Sequence, residues 1–269
     1  MAVVISRSVV LGGAGQGGND PLIGWHNVLM LDQIVATSAN PLHPASNLAN
    51  PSTRLRWESA AGGTQFLTFS INYDDPVDYI GVARHNWHST STFVSVEIFD
   101  GDTWEEVIDA FVPGDDSPLI LRFDPRIVSG IRIRLETSDA ARLRAAVVYI
   151  GRLLVMQRRI YVGHTPLHMA RDTAIANTQS ESANFLGRVV TARRNASVAN
   201  FKNLTPGWYR RYMEPFVVQT EEVPFFFAWR PETYPLEVGY AWTKGTPNPV
   251  NELPNGMMSV SIEYGGIVR

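Results

Sequence analysis

Two histidines three residues apart, in His85-Asn86-Trp87-His88, are the first side chains whose type and spacing bear on chemistry. A shared metal would need a third ligand beside them. The carboxylates nearest in sequence, Asp74, Asp75, Asp78, Asp100 and Asp102, are scattered over several turns. Two readings stay open: a turn whose polar side chains satisfy local backbone, or a ligand-facing loop of His85, Asn86, Trp87 and His88. Asp100-Gly101-Asp102-Thr103-Trp104 offers hard oxygen ligands without EF-hand spacing, and Asp-Gly at this place reads as a hairpin turn. Gly13-Ala14-Gly15-Gln16-Gly17-Gly18 matches G-x-G-x-x-G, yet Asn19-Asp20-Pro21 follows it instead of a helix. A glycine hinge is expected there, not a dinucleotide site. His164 and His168 are four apart but lack the glutamate of H-E-x-x-H, and no serine lies in a G-x-S-x-G elbow. The expectation is no catalytic residue, no cofactor, no metal and no enzyme.

Such residues must be held by something, and composition bounds what. The chain has 269 residues, net charge −3 and no cysteine. That length allows two domains and a sizeable core. The absence of cysteine excludes disulfides and thiolate ligands. No run approaches the roughly 20 apolar residues of a membrane span, so no membrane insertion is expected. The opening MAVVISRSVVLGG lacks the basic flank of a signal peptide. Lys202 and Lys244 are the only lysines, while arginines recur as near neighbours: Arg132/Arg134, Arg142/Arg144, Arg158/Arg159, Arg193/Arg194 and Arg210/Arg211. A slightly acidic chain is a poor nucleic-acid binder. Ion pairs with surface carboxylates or across subunit contacts are the expected use of these arginines.

The middle of the chain reads as one short strand after another: 65–71, 77–84, 92–99, 117–123, 130–135 and 145–151, with Asp/Gly/Pro turns between. The fold class is mostly β: a jelly-roll β-sandwich plus a second, C-terminal β-domain, with little helix. Three zones follow: an N-terminal arm over 1–40, the sandwich over 41–155, and the C-terminal β-domain over 156–269. In the last zone one helix is expected from Thr205 as N-cap to Met213, limited by Pro215. Strands are expected at 223–229, 236–243 and 257–264. Phe225-Phe226-Phe227-Ala228-Trp229 puts aromatics on both faces of a strand, so both faces need cover. Its own core and a neighbouring subunit are the alternatives, and Phe225, Phe226, Phe227 and Trp229 are the candidate interface.

From Asn47 to Gly151 the chain resembles the discoidin-like, or galactose-binding-like, jelly roll. The residues carrying this are Asn47-Leu48, Trp57-Glu58-Ser59, Gln65–Phe69, Val77–Val82, the Asp100–Trp104 hairpin and Ile131–Leu135. The wider arrangement is similar to tail-tip or baseplate (distal-tail-like) proteins of long-tailed bacteriophages, through Ala83-Arg84-His85-Asn86, Gly151–Arg158, Phe185–Arg188, Phe225–Pro231 and Gly239–Trp242. The resemblance implies a structural virion protein, made in the host cytoplasm and placed in the tail. It would form a homo-oligomeric ring and contact the tail tube and tail-tip hub. The alternative is a carbohydrate-binding module that attaches to a host-surface glycan.

Overall fold

Alternation of apolar and polar residues decides the first half of the molecule. The computed structural model describes residues 2–6, 8–9, 18–138, 140–251 and 254–268. One sheet runs in the order β1 (Val3–Ile5), β9 (Leu119–Arg126), β6 (Val77–Ala83), β12 (Val147–Gly151). The facing sheet runs β3 (Ile34–Ala36), β5 (Gln65–Ser70), β10 (Gly130–Glu136), β7 (Phe93–Phe99), β8 (Trp104–Phe111). Leu67, Phe69, Ile131 and Ile133 of the second sheet meet Ile80, Val82, Leu119 and Leu121 of the first in one core. A short pair, β4 (Trp57–Glu58) with β11 (Arg144–Ala145), closes one end. Trp57 is fully buried there and donates its indole N–H to the Ser38 carbonyl at 3.0 Å. The Asp100–Trp104 segment is a hairpin turn: Asp100 Oδ1 accepts the Asp102 and Thr103 N–H groups, and Gly101 takes φ +119°.

A second, eight-stranded sheet follows the order β13 (Leu154–Val155), β2 (Leu22–Gly24), β16 (Phe225–Ala228), β17 (Val238–Thr243), β19 (Met258–Ile267), β15 (Phe185–Leu204), β14 (Arg171–Gln179), with β18 (Pro249–Asn251) also on β19. The protein is mostly β, as its sequence pattern implies. The described part of segment 1–40, expected as an arm, is built into both units: β1 pairs in parallel with β9, and β2 lies between β13 and β16. Most of the glycine cluster, residues 12–17, lies outside the described residues.

The three phenylalanines show how the two units join. Phe225 and Phe227 point to a core shared with Tyr209, Met213 and Phe216 of the helical segment. Phe226, between them, points the other way and joins the jelly-roll core. The contact is reciprocal. A Cβ on Gly81 would lie 2.5 Å from the Phe226 ring, and one on Gly24 would lie 2.6 Å from the Tyr79 ring. Each sheet therefore leaves out a side chain where the other inserts a ring. Tyr240 strengthens the seam by donating to the Pro51 carbonyl at 2.9 Å.

The helical segment runs longer than expected, through α1 (Pro206–Trp208), a π turn (Tyr209–Met213) and α2 (Glu214–Gln219). Pro215 does not end it. The π turn shifts the hydrogen-bond register, with Glu214 N–H reaching the Tyr209 carbonyl, and Pro215 then sits in the first turn of α2, where its missing N–H is not needed. Thr205 caps through its backbone carbonyl, which accepts Tyr209 N–H, while its hydroxyl oxygen accepts a hydrogen bond from the Gln157 side-chain amide.

Candidate functional site

The loop after β6 turns inward. His85, Asn86 and Trp87 are buried, and only His88 of the four stays exposed. Trp87 stacks on the His85 ring at 4.9 Å. Asn86 donates to the Arg142 carbonyl and accepts Arg144 N–H. His88 Nδ1 lies 2.8 Å from the Pro113 carbonyl, and Asp116 Oδ1 accepts the His88 and Ser89 N–H groups. Of the two readings of His85, Asn86, Trp87 and His88, these contacts describe the turn whose polar side chains satisfy local backbone at the end of the sandwich, and of the four only His88 keeps an exposed side chain. His85 Nε2–H donates to the Ser117 carbonyl at 2.8 Å, and Nδ1 accepts Trp87 N–H at 3.3 Å, which fixes a neutral tautomer. Burial moves its pKa down to about 4, so its 3.9 Å approach to Asp116 is not an ion pair near neutrality.

For Phe225, Phe226, Phe227 and Trp229 the sequence left own-core burial and a subunit contact as alternatives. The phenylalanines are covered by the chain's own helical segment and jelly roll. Trp229 is half-buried, stacked on Tyr234 at 5.3 Å, with its N–H donated to Glu237.

What the inward loop leaves outside is Arg84. It has φ +56°, in the left-handed region, which costs a non-glycine residue about 1–2 kcal/mol. That turn separates an exposed Arg84 from the buried His85. Arg84 projects at the junction of the two units, into an open groove of about 640 Å³ lined also by Asp172, Arg193, Arg194, Trp242 and Lys244. β14, β15, β17 and the Lys244 turn supply these residues. Gly265 and Gly266 form part of its wall: a Cβ on Gly265 would stand 3.5 Å from Trp242 Nε1 and 3.6 Å from Lys244 Cε.

Charge in the groove is one-sided. Among the described residues Asp172 is its only carboxylate, and it lies 3.6 Å from Lys244. Among the described residues, Arg84, Arg193 and Arg194 have no carboxylate within ion-pair distance. Several arginines of the jelly roll differ. Arg132 pairs with Glu97 under the rings of Phe66 and Trp104, Arg134 pairs with Glu136, and Arg126 with Glu105. Trp242 stands 44% exposed beside the free cations. This arrangement suits an anionic ligand with a flat apolar face. It holds no acid–base pair aimed at a common point. Among the described residues no cluster of three or more His, Asp or Glu has metal-ligand geometry.

One further titratable group is half-buried between Arg122 and Arg152. Asp78 accepts Leu153 N–H at 2.6 Å, and burial raises its carboxyl pKa to about 6, against the pull of Arg122 and Arg152.

No protein-family model and no curated protein matches the chain. Several solved structures are similar to part of it. Chitosan-binding module 1 from a chitosanase/glucanase of Paenibacillus sp. IK-5 has 17% identity and a TM-score of 0.41, covering 46% of this chain and 98% of the module. A carbohydrate-binding module from Clostridium perfringens, in complex with GalNAc-β-1,3-galactose, has 15% identity and a TM-score of 0.39, covering 44% and 94%. A carbohydrate-binding module of AlyQ, in complex with 4,5-unsaturated mannuronic acid, has 16% identity and a TM-score of 0.38, covering 47% and 96%.

Proposed function

We propose that this chain is a non-catalytic carbohydrate-binding protein whose groove takes acidic saccharides. The observation that carries this is the exposed Trp242 set among Arg84, Arg193, Arg194 and Lys244. An indole face stacks on the C–H face of a pyranose. Guanidinium groups bind carboxylate or sulfate in charge-assisted, often bidentate pairs. A neutral sugar would use the indole alone and leave the cations without a role. The test is a glycan array carrying neutral, uronic-acid and sulfated oligosaccharides, read at low and high salt. The expected result is binding restricted to the acidic set and weakened by salt. Equal binding to neutral glycans, or none to any, would overturn it.

A second reading is a structural subunit of a phage tail tip or baseplate, placed in the virion and set in a ring between tail tube and hub. It is favoured by the β14–β15 hairpin, which exposes Ile175, Phe185, Leu186, Val189 and Val190. Solvated monomers seldom leave so many large apolar side chains on one projection. Electron microscopy of purified particles tests it: density for this chain repeated around a tail axis supports the reading, and its absence from particles removes it.

A further inference from the structure

Sheet edges are where β proteins protect themselves, because an open edge presents unpaired N–H and C=O groups to any other strand. Most described edges of this protein are guarded. β1, β3 and β18 have three residues each, and β13 has two. β12 is buried along its length. β8 carries Glu105, Glu106 and Asp109. β14 is the exception. It is nine residues long, almost wholly exposed, and carries no charge from Thr173 to Gln179. The irregularities of its pairing with β15 fall where Thr191 and Leu186 are left over on β15, so β14 itself runs unbroken.

We propose that β14 is a self-association edge, pairing antiparallel with β14 of a second copy of this chain about a two-fold axis at Ile175. This goes beyond the glycan reading and does not depend on it. Two features select a second copy as the occupant. The first is length: the other edges of the same sheet, two and three residues long, cannot match a nine-residue strand, whereas β14 matches itself. The second is charge. An antiparallel pair centred on Ile175 sets Thr173 opposite Asn177, Asp172 opposite Thr178 and Arg171 opposite Gln179. No like charges meet, and Asp172 gains a hydroxyl donor. Because Ile175 already pairs with Val190, the seam would bear an unbroken row of Val190, Ile175, Ile175 and Val190. Ile175 and Val190 are 44% and 40% exposed in the single chain. The two large sheets would become one.

The chain has no cysteine, so a single introduced one reports cleanly. Opposed residues at the centre of an antiparallel pair lie about 4.5–5.5 Å apart, within reach of a disulfide. Under mild oxidation Ile175→Cys should form a covalent dimer rapidly. Leu42→Cys, 82% exposed in the turn between Asn40 and His43, should not keep pace. In sedimentation the native chain should be a dimer, and Ile175→Lys a monomer that keeps the native circular-dichroism spectrum. If Ile175→Lys fails to fold, the cysteine comparison decides. A native monomer at every concentration, a higher oligomer without the Ile175 cross-link, or equal oxidation of the two cysteine variants would overturn the proposal.

Discussion

Arg132 in the jelly roll and the arginines of the groove are chemically the same residue in opposite states. Arg132 is clamped between two rings and a carboxylate, while among the described residues Arg84, Arg193 and Arg194 have no carboxylate within ion-pair distance. The tryptophans divide in the same way: Trp87 is fully buried, Trp242 is open. Residue type alone therefore does not mark the proposed site; the gathering of exposed cations around an exposed indole does. One region should register substitutions as lost stability, the other as lost binding.

Trp87→Ala should give the largest loss, about 3–5 kcal/mol, because it empties a buried indole site under the His85 ring. Chemical denaturation measures it, and a loss under 1 kcal/mol would show that the loop repacks freely. Gly81→Val comes next, at about 1–3 kcal/mol, since its Cβ would meet the Phe226 ring at the seam. If that variant melts like the native chain, the two units are not locked there.

Titration sharpens the comparison within the buried set. The Asp78 carboxyl holds its proton more tightly when folded, about 6 against an ordinary 3.8, so its contribution falls as pH rises through that window. His85 has the opposite sign. Its pKa is about 4 when folded against 6.5, so stability is lost as pH falls from 6.5 towards 4. The two effects oppose each other between pH 4 and 6. Asp78→Asn should leave the His85 effect alone and make melting temperature climb more steeply with pH than in the native chain. Identical profiles would contradict the burial of Asp78. Smallest of all, Arg134→Gln removes an exposed ion pair and should change stability by no more than about 0.5 kcal/mol. A larger loss would show that the pair is less solvated than its exposure implies.

Much of the fold is legible in the sequence because its strands have one wet face. Gln65–Ser70 alternates inward and outward along its length, and its pattern says so. The need to cover both faces of Phe225–Phe227 is also readable, but not which element does it: the helical segment and Tyr79 and Tyr149 come from far along the chain. The β14–β15 hairpin left no periodic trace. In TAIANTQ both faces are exposed, so nothing in the sequence distinguishes in from out. The groove was hidden for a different reason. The Arg193/Arg194 doublet and Trp242 stand out individually, and Arg84 sits beside a conspicuous His-Asn-Trp-His. Only the seam between the two units brings positions 84, 193 and 242 together.

The central claim is that an open indole beside exposed arginines binds ligand without supporting the fold. Calorimetric titration of an oligouronate into the native chain and into Trp242→Ala, with the melting temperature of each, tests it directly. Truncating an exposed side chain should hold stability within about 0.5 kcal/mol. The account predicts equal melting temperatures and at least a roughly tenfold weaker affinity, about 1.4 kcal/mol, in the variant. Undiminished binding by Trp242→Ala would contradict it.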